Sequence, residues 1–265
     1  MKFNDALRKL AVASSTADAL PRSNLLLDFD ASTIVAADGE DVNAWMNQAT
    51  QWSASQADGA HVGTYVARSA LNGRPAVRMS GDAFMEIVGL ARAASQGYTL
   101  FWVADITSQS PNYGNTILQG GQTAFYASVG VAKYPQAYLG EGVGLGYTPD
   151  ARLGPVCLTI STGLTPRAWT DRILTGQGSV GAQAGLVAPV YIGAPGSNGS
   201  RADVGRILLY EGILDDATRS RVWDNIYRRW RVAAPLRKAN GGPRVWPVAI
   251  LCGQSNADGN APLTD

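Results

Sequence analysis

The stretch that decides the fold is Ala202-Asp-Val-Gly-Arg-Ile-Leu-Leu-Tyr-Glu-Gly-Ile-Leu-Asp-Asp-Ala-Thr-Arg219. Residues 204–210 are rich in aliphatic and aromatic side chains and predict a strand. A short helix follows, for which Asp215 is the predicted N-cap because its carboxylate can accept hydrogen bonds from free backbone N–H groups. In that helix Val222, Ile226 and Trp230 recur every four residues. They form one apolar stripe that can lie on the edge of a β-sandwich.

Short apolar or alternating runs also recur upstream of this stretch, separated by turn residues. They predict strands at residues 25–29, 76–79, 84–88, 99–106, 116–119, 124–131, 136–138, 156–161, 167–170 and 190–193. Residues 167–175 read as a hairpin that turns near Asp171 and Arg172. No long helical pattern and no solenoid repeat interrupts the series. The sequence therefore predicts an all-β sandwich over residues 24–232.

Four stretches in this order resemble the concanavalin A-like, laminin G-like jelly rolls. They are Leu26-Leu-Asp-Phe-Asp-Ala-Ser32, Val42-Asn-Ala-Trp-Met-Asn-Gln48, Ala70-Leu-Asn-Gly-Arg-Pro-Ala-Val-Arg-Met79 and the closing stretch from Ala202 to Arg219. The resemblance implies a jelly-roll sandwich. Because that fold serves lectins, glycan-cleaving enzymes and structural modules alike, function has to be argued from particular residues.

Composition fits a large β domain with appendages and restricts the partners. The chain has 265 residues, of which 46% are hydrophobic and 16% charged, and 30 are glycines. Its net charge of +1 gives no electrostatic reason to expect nucleic acid or an anionic membrane as a partner. Cys157 and Cys252 fall in separate predicted strands of separate units. We expect two buried, reduced thiols rather than a disulfide.

The amino terminus shows helical spacing. Phe3, Leu7 and Leu10 recur on one face, and the polar joint that ends at Asn24 separates this segment from the sandwich. No run is long enough for a signal peptide core or a membrane span, so we expect neither export nor anchoring in a bilayer. An amphipathic helix at a chain end either packs on its own domain or docks on a partner. We interpret residues 1–23 as a docking helix.

The carboxyl terminus resembles the start of an enzyme. After a Pro- and Gly-containing linker at residues 233–243, an apolar strand at 248–252 runs into Gly253-Gln-Ser-Asn256. This resembles the first block of the SGNH hydrolases of the sialate O-acetylesterase type, with residues 244–265 as the incomplete start of an α/β domain. The resemblance implies that Ser255 is the nucleophile and that its backbone N–H helps to bind the oxyanion.

A serine needs a general base, and this block does not supply one. In that family an Asp-x-x-His farther along the chain provides the base, whereas the one histidine here, His61, lies far upstream. We therefore expect the chain as given to be inactive as an esterase. A longer protein that carries the remaining blocks would be a serine carbohydrate esterase. The alternative is a polar loop after a strand.

Sugar binding needs exposed aromatic faces beside amide or carboxylate groups. Loops in the middle of the chain offer such a set, with the alternative that the tyrosines are half-buried strand residues. The candidate glycan-binding residues are Tyr113, Asn115, Tyr134, Gln136, Tyr138 and Tyr147.

Glycoside hydrolysis and metal binding have weaker support. Glu86, Glu141 and Glu211 stand apart in sequence and do not form the carboxylate pair that hydrolysis requires. Asp28, Asp30 and Asp150 carry the oxygen ligands that calcium binds, but their spacing is not a motif, so we expect no cofactor. We assign Trp45, Trp52 and Trp102 to the core.

Three functional hypotheses follow. The first is a bacteriophage virion protein, a tail or head fibre, spike or decoration. It is made in the host cytoplasm, docks on other virion proteins through residues 1–23 and binds host-surface polysaccharide ahead of an O-acetylesterase domain. The second is a bacterial polysaccharide O-acetylesterase with an accessory sugar-binding domain, which the lack of a signal peptide disfavours. The third is a free-standing lectin-like module. The sequence contains no heptad repeat that would predict a coiled-coil trimer. Whether the chain forms a homo-oligomer is left open by the sequence.

Overall fold

The computed structural model describes residues 19–90, 97–107, 115–120, 123–127, 137–139, 154–163, 165–178, 185–193 and 202–230. The predicted docking helix up to residue 18, the linker at 233–243 and the hydrolase-like segment with Cys252 and Ser255 lie outside these ranges. No helix within them is long and apolar enough to cross a membrane.

The described chain is built mainly of strands. In chain order these are β1 Leu25–Asp30, β2 Asp41–Val42, β3 Ala44–Met46, β4 Ser53–Ser55, β5 Gly63–Val66, β6 Ala76–Met79, β7 Phe84–Ile87, β8 Tyr98–Ile106, β9 Asn115–Gly120, β10 Thr123–Ala127, β11 Ala137–Leu139, β12 Gly154–Ser161, β13 Arg167–Thr170, β14 Ile173–Gln177, β15 Val190–Gly193 and β16 Ala202–Glu211. One helix, α1 Asp216–Trp230, follows the last strand in this part of the chain. The all-β prediction is confirmed.

The strands form two antiparallel sheets. The first runs in the order β14-β13-β12-β8-β16-β6-β5-β2, with β1 also paired to β16, and the second runs β11-β10-β9-β15-β7-β4-β3. β16 is central to the first sheet because it pairs with β8 along one side and, along the other, first with β6 and then with β1. The change of partner falls at Gly205, where the register with β8 shifts.

The main core lies between the two sheets, and alternation along β8 shows how it is filled. Leu100, Trp102 and Ala104 are buried against the second sheet, whereas Phe101 and Val103 belong to a separate buried cluster on the opposite face. A strand covered on both faces reads as a continuous apolar run. That is why β8 and β16 are the clearest strands in the sequence.

Helix α1 covers that opposite face. Val222, Ile226 and Trp230, the predicted stripe, are all buried in the outer cluster. The prediction that this stripe lies on the sandwich edge is wrong: it packs on the central strands, because Phe101, Val103, Leu208 and Tyr210 form an apolar patch there. The stripe itself is confirmed, since burial follows the spacing of four.

Local signals at the helix start and the hairpin are confirmed. The Asp215 carboxylate accepts a 2.7 Å hydrogen bond from the backbone N–H of Thr218, as an N-cap does. Asp171 and Arg172 form the two-residue turn between β13 and β14, with φ angles of 48° and 67°. Positive φ at both positions matches the right-handed twist of a hairpin. Cys157 is a buried free thiol, as expected.

A buried charged cluster ties β1, β16 and α1 together. Arg206 on β16 donates to both carboxylate oxygens of Asp28 on β1, at 2.9 and 3.1 Å. It also donates to Asn225 of the helix at 3.2 Å. Arg229 of the helix lies 2.9 Å from the carboxylate of Asp30. Buried charges persist only when they are paired and hydrogen-bonded, and this cluster meets both conditions.

Candidate functional site

The second sheet leaves its outer face open in the described part of the chain, in contrast to the first. Met85 and Ile87 on β7 point into the core, so Glu86 between them points outward and is exposed. Val190 and Ile192 on β15 are likewise buried, so the half-buried Tyr191 also faces outward. Because side chains alternate along a strand, these two residues lie on the same outer face.

Pairing between strands extends these residues into a row. Glu86 lies opposite Ser55 of β4 on one side and opposite Tyr191 on the other, and Tyr191 lies opposite Gln119 of β9. We call Ser55, Glu86, Tyr191 and Gln119 the polar row. With strands about 4.8 Å apart, a row across four strands is about 14 Å long. It presents a hydroxyl, a carboxylate, a phenol and an amide side by side.

An aromatic chain borders the polar row. The Phe84 ring meets the Tyr191 ring edge to face, with the centroids 5.4 Å apart. The centroid of the His61 ring lies 5.6 Å from that of the Phe84 ring. Phe84 and Tyr191 are both half-buried, so each ring keeps part of its surface open to solvent. Edge-to-face packing holds the rings in fixed positions.

His61 is held between two carboxylates. Its Nδ1 lies 3.0 Å from Asp58 Oδ2 and its Nε2 lies 3.0 Å from Asp82 Oδ2. The hydrogen bond with Asp58 is the main cause that raises the pKa of His61 above its ordinary value. The pKa of Asp58 is lowered, chiefly by the backbone N–H of Ala60 and then by the His61 hydrogen bond.

This arrangement suits binding better than catalysis. With both ring nitrogens engaged, His61 as an imidazolium has no lone pair with which to accept a proton from a nucleophile. Asp58 and Asp82 are 61% and 51% exposed, so each keeps oxygen atoms open to solvent. The three residues therefore form an ordered polar rim beside the aromatic chain.

Backbone and amide contacts fix this rim against β7. The Gln56 side chain donates to the Phe84 carbonyl at 3.2 Å and accepts from the Asp58 N–H at 3.0 Å. The Phe84 N–H in turn donates to the His61 carbonyl at 3.0 Å. These bonds hold the loop before β5 in place without a ligand, and preorganisation lowers the entropy cost of binding.

The structure brings some predicted glycan-binding residues to the same sheet. Asn115 begins β9 and Tyr138 lies in β11, so both backbones belong to the second sheet. Their side chains lie outside the described residues. The positions of Tyr113, Tyr134, Gln136 and Tyr147 lie outside them altogether. The predicted nucleophile, Ser255, lies outside them as well.

The residues that the open face presents are not among the glycan-binding candidates predicted from the sequence. Tyr191 sits in the run Val190-Tyr-Ile-Gly193, and Glu86 sits in Phe84-Met-Glu-Ile87. In both runs a large polar residue is flanked by buried apolar ones, which is the signal that identifies an outward position. Of the glutamates that stand apart in sequence, Glu86 is exposed and Glu211 is half-buried. Trp45 and Trp102 are buried, and Trp52 is half-buried against the core.

The calcium candidates are engaged by arginines. Asp28 is bound by Arg206, and Asp30 by Arg229, while Asp150 lies outside the described residues. Within the described ranges, no group of three His, Cys, Asp or Glu side chains is arranged to hold a metal ion. The expectation of no cofactor stays a prediction.

Comparisons with known proteins identify the fold. No protein-family model and no curated protein sequence matches the chain. Solved structures of similar fold do match, among them three that contain a bound sugar.

The sialidase of Trypanosoma rangeli in complex with sialic acid matches with a TM-score of 0.53 at 15% identity, over 80% of this chain and 34% of that one. The chain thus spans about a third of the sialidase. Domain 4 of the extracellular arabinanase of Geobacillus stearothermophilus, in complex with arabinotriose, has a TM-score of 0.54 at 10% identity, over 77% of this chain and 98% of that one.

The ligand-binding domain of botulinum neurotoxin serotype D, in complex with N-acetylneuraminic acid, has a TM-score of 0.51 at 9% identity and covers 86% of this chain and 56% of that one. At such low identity these likenesses show a shared β-sandwich fold.

Proposed function

We propose that the sandwich is a glycan-binding module whose ligand lies on the open face of the second sheet. The observation that carries this proposal is the polar row with its aromatic border. Tyr191 and Phe84 offer ring surface for the apolar C–H faces of a sugar, and Glu86 and Gln119 offer acceptors and donors for its hydroxyls. The sugar complexes of the structural neighbours support this reading.

The first test is binding of the chain to a glycan array, followed by titration of the strongest ligands. Replacing Tyr191 with alanine removes the central ring of the face. Because truncation of a well-placed aromatic contact costs more than most interface changes, we expect affinity to fall by about tenfold or more. Tyr191→Phe keeps the ring and should retain most of the affinity.

A matched control keeps this test specific. Val35 is fully exposed and lies outside both sheets, so Val35→Ala should leave binding unchanged. Thermal unfolding checks that each variant is folded. Failure of the chain to bind any glycan, or full affinity of the folded Tyr191→Ala variant, would contradict the proposed face.

The proposal extends to the protein in which the module works. The amphipathic pattern of residues 1–23 supports docking on other proteins of a bacteriophage virion, as part of a fibre, spike or decoration. The Gly-Gln-Ser-Asn block supports a carbohydrate O-acetylesterase domain after the module, with Ser255 as its nucleophile. In that setting the sandwich holds host-surface polysaccharide near the esterase.

Two experiments test this context. Deletion of residues 1–20 should abolish incorporation into virions while the sandwich stays folded, and unchanged incorporation would exclude docking by this segment. A protein that includes the coding sequence downstream of Asp265 should release acetate from p-nitrophenyl acetate and from an acetylated polysaccharide. Ser255→Ala should remove that activity. Equal activity in the alanine variant would exclude Ser255 as nucleophile.

A further inference from the structure

The second sheet carries very little charge. Its seven strands contain no lysine and no arginine, and Glu86 is the charged residue among them. The first sheet, by contrast, contains arginines and aspartates on several strands, including the buried pair of Arg206 and Asp28. The formal charge that the described strands of the open face present to a ligand is therefore that of one exposed carboxylate.

The rim beside the row adds negative charge. With His61 protonated, the group of Asp58, His61 and Asp82 carries a net charge of −1, and with His61 neutral it carries −2. The imidazolium thus compensates one carboxylate and leaves the other. As long as Asp58 and Asp82 are ionised, the group therefore stays negative whether His61 is protonated or neutral.

From these charges we infer the ligand class of the face: it takes uncharged glycans and rejects sugars that carry a carboxylate or a sulfate. The inference rests on the proposed function. An ionised carboxylate is purely an acceptor of hydrogen bonds, so Glu86 matches the hydroxyl donors of a neutral sugar. A sugar carboxylate has no donor to offer Glu86, and the strands of this sheet hold no arginine or lysine to pair with it.

The size of the discrimination follows from Coulomb's law. An acidic group within about 4 Å of Glu86 would meet a repulsion that is small in bulk water and several times larger at a partly desolvated surface. We expect an acidic glycan to bind about tenfold more weakly than its neutral counterpart. This difference in affinity should become smaller in high salt, because salt screens the repulsion. The structurally similar proteins include both classes of ligand: the arabinanase domain holds uncharged arabinotriose, whereas the sialidase holds sialic acid, which is an acid.

The experiment uses matched neutral and acidic glycans with the full chain of 265 residues. Pairs such as lactose with 3′-sialyllactose, and galactose-ended chains with their 6-sulfated forms, are titrated at low and high salt. Glu86→Gln keeps the shape of the side chain and removes its charge. Glu211→Gln is the control, because Glu211 is half-buried and lies on the first sheet.

The outcomes separate the ligand class from the function. We expect the neutral glycan of each pair to bind more tightly. The difference in affinity between the two should become smaller in Glu86→Gln and stay unchanged in Glu211→Gln. Equal or tighter binding of the acidic members would overturn the ligand class and leave glycan binding standing. A difference in affinity between neutral and acidic glycans that Glu86→Gln leaves unchanged would also overturn the ligand class. Absence of binding to every member would instead contradict the proposed function itself.

Discussion

Replacing Gly205 with alanine places a methyl group where helix α1 touches the central strand. An ideal Cβ at this position would lie 2.6 and 2.8 Å from Cζ3 and Cη2 of Trp230, and 2.8 Å from Cδ1 of Leu71. Carbon atoms in contact normally lie about 3.5–4.0 Å apart. Trp230 and Leu71 are 0% and 1% exposed, so neither can swing into solvent to make room. The helix or the strand would have to move by about 1 Å.

The expected cost follows from this crowding. Adding a methyl group to a packed core destabilises by about 1–3 kcal/mol, and three simultaneous contacts favour the upper end of that range. In addition, β16 changes partner from β6 to β1 at Gly205, so a shift there disturbs two strand pairs. A loss of about 3 kcal/mol lowers the unfolding midpoint of a domain of this size by about 6–12 °C.

The assay is urea unfolding of the chain, followed by tryptophan fluorescence and far-UV circular dichroism. Gly59→Ala is the matched control, because Gly59 is exposed and an added Cβ would meet nothing within 4 Å. Its stability should stay within about 0.5 kcal/mol of the starting protein. Trp230→Phe shortens the opposing ring, so the double variant with Gly205→Ala should lose less stability than the sum of the two single changes. Equal stability of the two alanine variants would refute the packing of α1 on β16.

Three further predictions concern buried charge, titration and helix capping. Arg206→Met leaves the carboxylate of Asp28 buried without its bidentate partner and should cost about 3–5 kcal/mol in the same assay; a change below about 1 kcal/mol would exclude a stabilising role for the pair. The imidazole of His61, the one histidine in the chain, should titrate by NMR above the ordinary pKa of about 6.5, and Asp58→Asn should lower that pKa. Because the pKa of His61 is raised in the folded state, its contribution to stability is complete below the pKa of the unfolded state and is lost as the pH rises through the pKa of the folded state. A measured His61 pKa at or below about 6.5 would contradict the contacts with Asp58 and Asp82. Asp215→Ala removes the N-cap acceptor of α1 and should lower the unfolding midpoint, whereas Asp215→Asn should keep most of it; equal loss in both would show that the cap is not the cause.

Local sequence patterns identify the strands that fill the core. Residues 99–106 and 204–210 were predicted as strands because their apolar runs are continuous, and β8 and β16 extend each of them by a residue or more. Their burial on both faces is the physical cause of that pattern. The N-cap at Asp215 and the turn at Asp171 were also identified, because each depends on a few neighbouring residues.

Long-range pairing is what the sequence pattern lacks. β2, β3, β4 and β5 contain two to four residues each, and no run there is long enough to show alternation. These strands are defined by their partners, as when β4 pairs with β7. The position of α1 was missed for the same reason: its apolar stripe shows that one face is buried, but the patch that covers it comes from β8 and β16.

The same limit explains the polar row. Ser55, Glu86, Gln119 and Tyr191 come from four separate parts of the chain, and the register of three strand pairs makes them neighbours. Sequence reasoning can mark Glu86 and Tyr191 as outward-facing, each on its own strand. It cannot place one beside the other, because the strands that carry the row, β4, β7, β15 and β9, are neighbours in the sheet but lie far apart in the chain.

The unequal covering of the two sheets explains why binding is best sought on the second. On the first sheet, α1 fills the outer face with Trp230, Val222 and Ile226, and the charged groups beneath it are bound to one another. A ligand there would have to displace packed side chains and separate buried ion pairs, each at a cost of several kcal/mol. On the second sheet, Tyr191 and Glu86 already face outward, and the rim at His61 is already ordered. Binding there breaks none of the buried ion pairs of the first sheet, and an ordered face lowers the entropy cost of holding a sugar.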